Sequence, residues 1–223
     1  MATIITIGIL VHFLGPLNSK LIVKIISENP SKHRKLLTYI NPQRGYDITT
    51  ITAAIICTMV TVKELTYHIN SNSNLYGLIF SLFLGVFLPM GIWKMKKKTI
   101  IFNGRNSINI DSLVFLPLTA MSEELIWRFC VPLLFLSHVF HTPTGPIIIS
   151  SIGFIMLHLP LGGIKTIAYM SLFTFTTVIM FLNFGIISSI IFHIAHNLII
   201  QLFHSSSNKT TDLQSPPTSQ SEW

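Results

Sequence analysis

Charge is what this sequence has least of. Asp, Glu, Lys and Arg make up 10% of its 223 residues, where a soluble globular domain carries about 25%. The deficit runs over most of the length, which excludes a soluble domain with one buried core helix. Half of the residues are hydrophobic and the mean hydropathy is +0.62. Such a chain is predicted to be an all-α bundle whose outer faces meet lipid, with every backbone polar group satisfied within helices. Acidic residues are the scarcer sign, eight against fifteen Lys and Arg, for a net charge of +7. The cations fall in short loops between apolar runs, a pattern of membrane topology rather than of a nucleic-acid-binding face. Cysteine is nearly missing. Cys57 and Cys130 both lie in apolar runs, where a thiol behaves as a small hydrophobe, so no disulfide is expected. The first apolar stretch, Thr3 to Leu17, has no basic n-region and no small-x-small site after it. It reads as a retained span rather than a signal peptide.

What is there is a series of apolar runs. A membrane-crossing helix needs about 20 apolar residues, and seven stretches qualify approximately: 3–26, 47–68, 75–93, 111–137, 146–160, 166–183 and 185–204. The expectation is a polytopic transmembrane helical bundle of about seven spans. Lys20, Lys24, Lys32, Arg34, Lys35 and Arg44 lie at or between the first two spans. Lys94, Lys96, Lys97, Lys98 and Arg105 follow the third, and Lys165 the fifth. The loops 69–74 and 138–145 carry no such charge. This alternation predicts an outward N-terminus and a cytosolic C-terminal tail. Lys63 and Glu64, near the outer end of the second span, are expected at the interface. Three regions follow: N-terminal helices and basic loops over 1–110, a helical core over 111–204, and a polar tail over 205–223. The tail is too rich in Ser, Thr, Pro and Asn to fold. Its Asn208-Lys209-Thr210 sequon is of no use on a cytosolic tail.

The informative residues are ionisable ones inside spans, where a charge costs about 2.5–3.5 kcal/mol on insertion scales. The fourth span carries Glu123, Glu124 and Arg128; the fifth carries His158; the seventh carries His193, His196 and Asn197. Glu124 and Arg128 are four apart in the favourable acid-first order, a pair able to neutralise itself and fix helix packing. Glu123 is turned about 100° away and has no cation at i+3 or i+4, so it is the spare carboxylate. His193 and Asn197 share one helix face, as do Phe154 and His158. His196 lies off that line and is the weaker candidate.

Peptide hydrolysis needs a base to activate water and donors for the oxyanion. A carboxylate in an apolar site suits the first task, and Glu123 with His158 fits it. His193 and the Asn197 amide fit the second. Taken singly, each residue has a plainer reading: an ion pair in packing, an interhelical hydrogen bond from a histidine, and a core Phe154. Taken together, three helices supply an unpaired Glu, two His and an Asn, a mixture that packing rarely requires.

Glu123-Glu124-x-x-x-Arg128, Phe154-x-x-x-His158 and His193-x-x-x-Asn197 occur in this order. The ordered set resembles the CPBP family of intramembrane proteases, which includes the type II CAAX prenyl endopeptidases and the Abi-like bacteriocin-processing proteins. The resemblance covers roughly 111–204. It implies a helical bundle with a conical cavity open to the cytosol, Glu123 as the water-activating base, and His158, His193 and Asn197 as catalytic partners. Glu124, Arg128 and Phe154 take supporting roles. It also implies a peptide substrate: a prenylated CAAX protein in eukaryotic members, mostly undefined peptides in bacterial ones. The short chain is similar to the compact prokaryotic type. Two histidines and a glutamate also suit zinc with an open water position, but no His-Glu-x-x-His helix is present, and the resemblance favours a metal-free site. Two other classes fit the same polar cluster: a non-catalytic peptide binder such as a bacteriocin self-immunity factor, and a transporter with a midplane ion site. The lack of an inverted repeat disfavours the transporter.

Overall fold

In a computed structural model the described residues are 1–28, 42–72, 74–102 and 110–206. The loop cations Lys32, Arg34, Lys35 and Arg105, the sequon, and nearly all of the polar tail lie outside them. The elements are α1 (Ala2–Glu28), α2 (Pro42–Met59), α3 (Val62–Asn72), α4 (Leu75–Met95), β1 (Thr99–Phe102) and α5 (Ile110–Glu124). A π-helical turn, Leu125–Cys130, leads into α6 (Val131–His138), followed by α7 (Thr144–Gly162), α8 (Ile167–Leu202) and β2 (Phe203–Ser206). The described residues are all-α apart from the small β1–β2 antiparallel pairing.

Among the described residues three helical stretches are long and apolar enough to cross a membrane: Ala2–Ile25, Leu75–Met95 and Ile164–Leu202. A fourth arises if the bent pair Gln43–Met59 and Val62–Ile69 is one span. That is fewer than the seven expected, for identifiable reasons. The second expected span, 47–68, is not straight: it turns by 92° between α2 and α3. Lys63 and Glu64, both exposed, therefore sit on the segment that leaves the α2 axis. The fourth carries the charged cluster itself, and the fifth, in α7, is short.

α8 is one run of 36 residues, yet it is not one rod. Tyr169 hydrogen-bonds His196, 27 residues on, whereas a straight helix would hold them about 40 Å apart at 1.5 Å per residue. The run folds back at Gly185, where φ is 81° and ψ is 177°, a conformation open to glycine and strained for other residues. The arms before and after Gly185 lie side by side through Phe173, which packs on Phe192 with centroids 5.4 Å apart.

α4 lies against both arms. Its buried residues are Gly77, Ser81, Gly85 and Pro89, a small-residue stripe of the kind that lets membrane helices approach closely. Phe80, Phe83 and Phe87 point outward and are exposed, an arrangement fit for lipid and not for water. A Cβ on Gly85 would stand 2.5 Å from the Phe192 carbonyl oxygen and 2.7 Å from Ala195 Cβ, while one on Gly91 would meet nothing within 4 Å. Gly85→Ala is expected to lower stability by about 1–3 kcal/mol through overpacking. Gly91→Ala should leave thermal unfolding in detergent unchanged; equal melting temperatures for the two variants would contradict the close approach.

Candidate active site

The π turn is where the site begins, and Pro132 accounts for it. Proline offers no N–H and its ring crowds the carbonyl four residues back, here that of Arg128. The ladder widens just ahead of it, with the Val131 N–H bonded to the Ile126 carbonyl. The Trp127 carbonyl, which a regular helix would give to Val131, instead accepts from the Ser150 hydroxyl of α7. Such turns recur at functional sites. Here it lies directly after Glu123 and Glu124.

Both carboxylates are buried, Glu123 at 4% and Glu124 at 0% exposure, with Arg128 at 2% and His193 at 3%. Glu124 Oε2 lies 3.5 Å from Arg128 Nε and accepts from the Ser189 hydroxyl. Its Oε1 is 2.8 Å from His193 Nδ1. Arg128 also donates to Thr177 Oγ1 from Nε at 3.1 Å and from Nη2 at 2.7 Å. The expected Glu124–Arg128 pair is thus present and is tied to both arms of α8. His193 bridges the two acids, because its Nε2 lies 3.5 Å from Glu123 Oε2.

Glu123 is not the partnerless carboxylate that local spacing implied. Besides facing His193, its Oε1 accepts a 2.5 Å hydrogen bond from the Tyr46 hydroxyl. Spacing along one helix detects only partners on that helix, and both of these come from others. Asp47 supports the contact: its Oδ1 accepts from Gln43 Nε2 and Thr119 Oγ1, each at 3.0 Å. This pins α2 to α5 one turn before Glu123.

Phe154 joins the remaining members. Its ring is fully buried, lies under the Arg128 guanidinium at 4.9 Å, stands perpendicular to His193 at 6.2 Å and touches His158 at 4.6 Å. His158 sends Nδ1–H to the Phe154 carbonyl, 2.8 Å away. In the neutral ring this leaves Nε2 as an acceptor. His158 thus reaches the cluster through the Phe154 ring. Asn197 lies one turn beyond His193 on the same face, and its Oδ1 accepts from His196 Nδ1 at 3.1 Å. That assigns His196, held at its other nitrogen by Tyr169, to orienting the amide. The Asn197 NH₂ is then left to donate elsewhere.

Zinc would need three protein ligands around one point. Among the described residues no group of three His, Cys, Asp or Glu is so arranged, and His193 turns both ring nitrogens to carboxylates.

Sequence reasoning missed Tyr46, Ser189, Thr177 and His12. Ser189 was detectable, standing four before His193 on its face. So was His12, a buried histidine in an apolar run.

Fold and cluster define a helical membrane protein with a buried Glu–His–Arg centre. Residues 106–199 match the family described as type II CAAX prenyl endopeptidase Rce1-like. The match spans the segment that carries all three motifs. No curated protein and no solved structure matches the chain.

Proposed function

We propose that this protein is a multi-pass intramembrane endopeptidase of the CAAX type that uses water activated by Glu123. The observation that carries the reading is the convergence of Glu123 and His193 from separate helices, buried and 3.5 Å apart. In the proposed step Glu123 takes a proton from water, and the hydroxide attacks the scissile carbonyl carbon. His193 and the Asn197 amide hold the resulting oxyanion. The C–N bond then breaks as Glu123 passes its proton to the leaving amine. His158 holds the water through its Nε2. His193, with Nδ1 on Glu124 Oε1 and Nε2 on the side of Glu123, directs Nε2 toward the oxyanion. His158 and Asn197 are only half-buried, so the peptide enters from their side. No metal takes part.

The fold-back at Gly185 supports seven passes: α1, the bent α2–α3, α4, α5 with α6, α7, and the two arms of α8. The C-terminus then faces the cytosol. The substrate is a protein or small peptide cut near its C-terminus, with a prenyl group or without one.

Purified protein in proteoliposomes is expected to cleave a fluorogenic farnesylated peptide ending in a cysteine and three further residues. A series of EDTA and 1,10-phenanthroline concentrations should leave the rate unchanged. Chelator-sensitive cleavage restored by zinc would overturn the metal-free mechanism. Tight binding of the peptide with no cleavage would instead favour a non-catalytic peptide binder.

A further inference from the structure

The first helices lie outside the matched segment, yet they supply a directional chain of hydrogen bonds that ends on Glu123. It begins at Trp127, whose indole N–H can only donate and does so to His12 Nε2 at 3.0 Å. His12 is fully buried. With Nε2 accepting, the neutral ring carries its proton on Nδ1, which lies 3.2 Å from Thr50 Oγ1. Thr50 therefore accepts there, and it stands one helical turn beyond Tyr46 on α2. The Tyr46 hydroxyl then donates to Glu123 Oε1. The indole fixes the direction of the first two bonds because it can only donate, and the Tyr46 hydroxyl donates because it faces a carboxylate. The rings are braced together, His12 lying 6.0 Å from Tyr46 and 5.8 Å from Trp127.

We propose that Tyr46 is the positioning residue for Glu123. Anchored by Trp127, His12 and Thr50, its phenol occupies Oε1 and leaves Oε2, the oxygen facing His193, as the one that takes the proton from water. A carboxylate free to rotate would present either oxygen, and the base would meet water in the productive geometry only part of the time. The inference rests on the peptidase reading and assigns part of that site to α1 and α2.

The test uses the full chain in proteoliposomes and the same farnesylated fluorogenic peptide. Tyr46→Phe keeps the ring and removes only the donor. A hydrogen bond to a charged group sets the scale, and the expected loss in kcat is about 10–100-fold, with KM and melting temperature unchanged. His12→Phe should lower kcat in the same direction by a smaller factor. Wild-type kcat in Tyr46→Phe, with Glu123→Gln inactive, overturns the inference and leaves the peptidase reading standing. Full activity of Glu123→Gln overturns the peptidase reading itself. A second measurement needs no substrate: the tyrosine C–O infrared band, assigned by subtracting Tyr46→Phe, should shift between wild type and Glu123→Leu, which removes the acceptor. An unshifted band overturns the inference whatever the kinetics show.

Discussion

Glu123→Gln is expected to reduce peptide cleavage on the order of 10³–10⁴-fold, the upper range for loss of a general base, while the protein remains folded. Glutamine has the size of glutamate, and its carbonyl oxygen can still accept the Tyr46 hydroxyl now bonded to Oε1. What it cannot do is take a proton from water. The effect should fall on kcat and kcat/KM alike, as for an interaction made only in the transition state. Membrane insertion and melting temperature should remain close to wild type, because the charge that fixes packing belongs to Glu124 and Arg128. Comparative mass spectrometry of membrane peptides checks this in cells: peptides that accumulate only with the glutamine variant are the uncut substrates. A variant that cleaves at the wild-type rate would remove Glu123 from the chemistry.

Arg128→Leu should act on stability first. Glu124 has no exposed surface and faces Arg128 at 3.5 Å, so deleting the guanidinium strands a carboxylate in an apolar interior. Breaking such a buried pair costs about 3–5 kcal/mol. The same change strips two hydrogen bonds from Thr177 and the cation from above Phe154, loosening the first arm of α8. A lower melting temperature in detergent and reduced abundance are expected. The double variant Arg128→Leu with Glu124→Gln should recover part of the loss, since it removes both charges together. If the single variant melts like wild type, the pair is not what anchors this segment to α8.

The residues near the centre divide into those a one-dimensional reading reaches and those it does not. Glu124 with Arg128 was legible because four residues bring two side chains together on any helix. Phe154 with His158 was legible for the same reason, whereas the partner of Asn197 is His196, set aside as the weaker candidate. Glu123 was singled out as a carboxylate without a partner, and that reading of its surroundings was wrong. Its neighbours are Tyr46, 77 residues earlier, and His193 on the last helical arm, and nothing in local spacing foretells either. The widened turn at Leu125–Cys130 had a sequence cause in Pro132, and the fold-back at Gly185 falls where the apolar runs 166–183 and 185–204 were separated.

Helicity, apolar outer faces and the chemical identity of the central groups are therefore properties of the amino-acid string, since composition and a period of about 3.6 residues set them before any two helices meet. Which carboxylate oxygen faces the imidazole, and which phenol holds the other, are decided by packing. They arise where α1, α2, the π turn and the second arm of α8 come together, and contacts between distant segments follow from the assembled bundle alone.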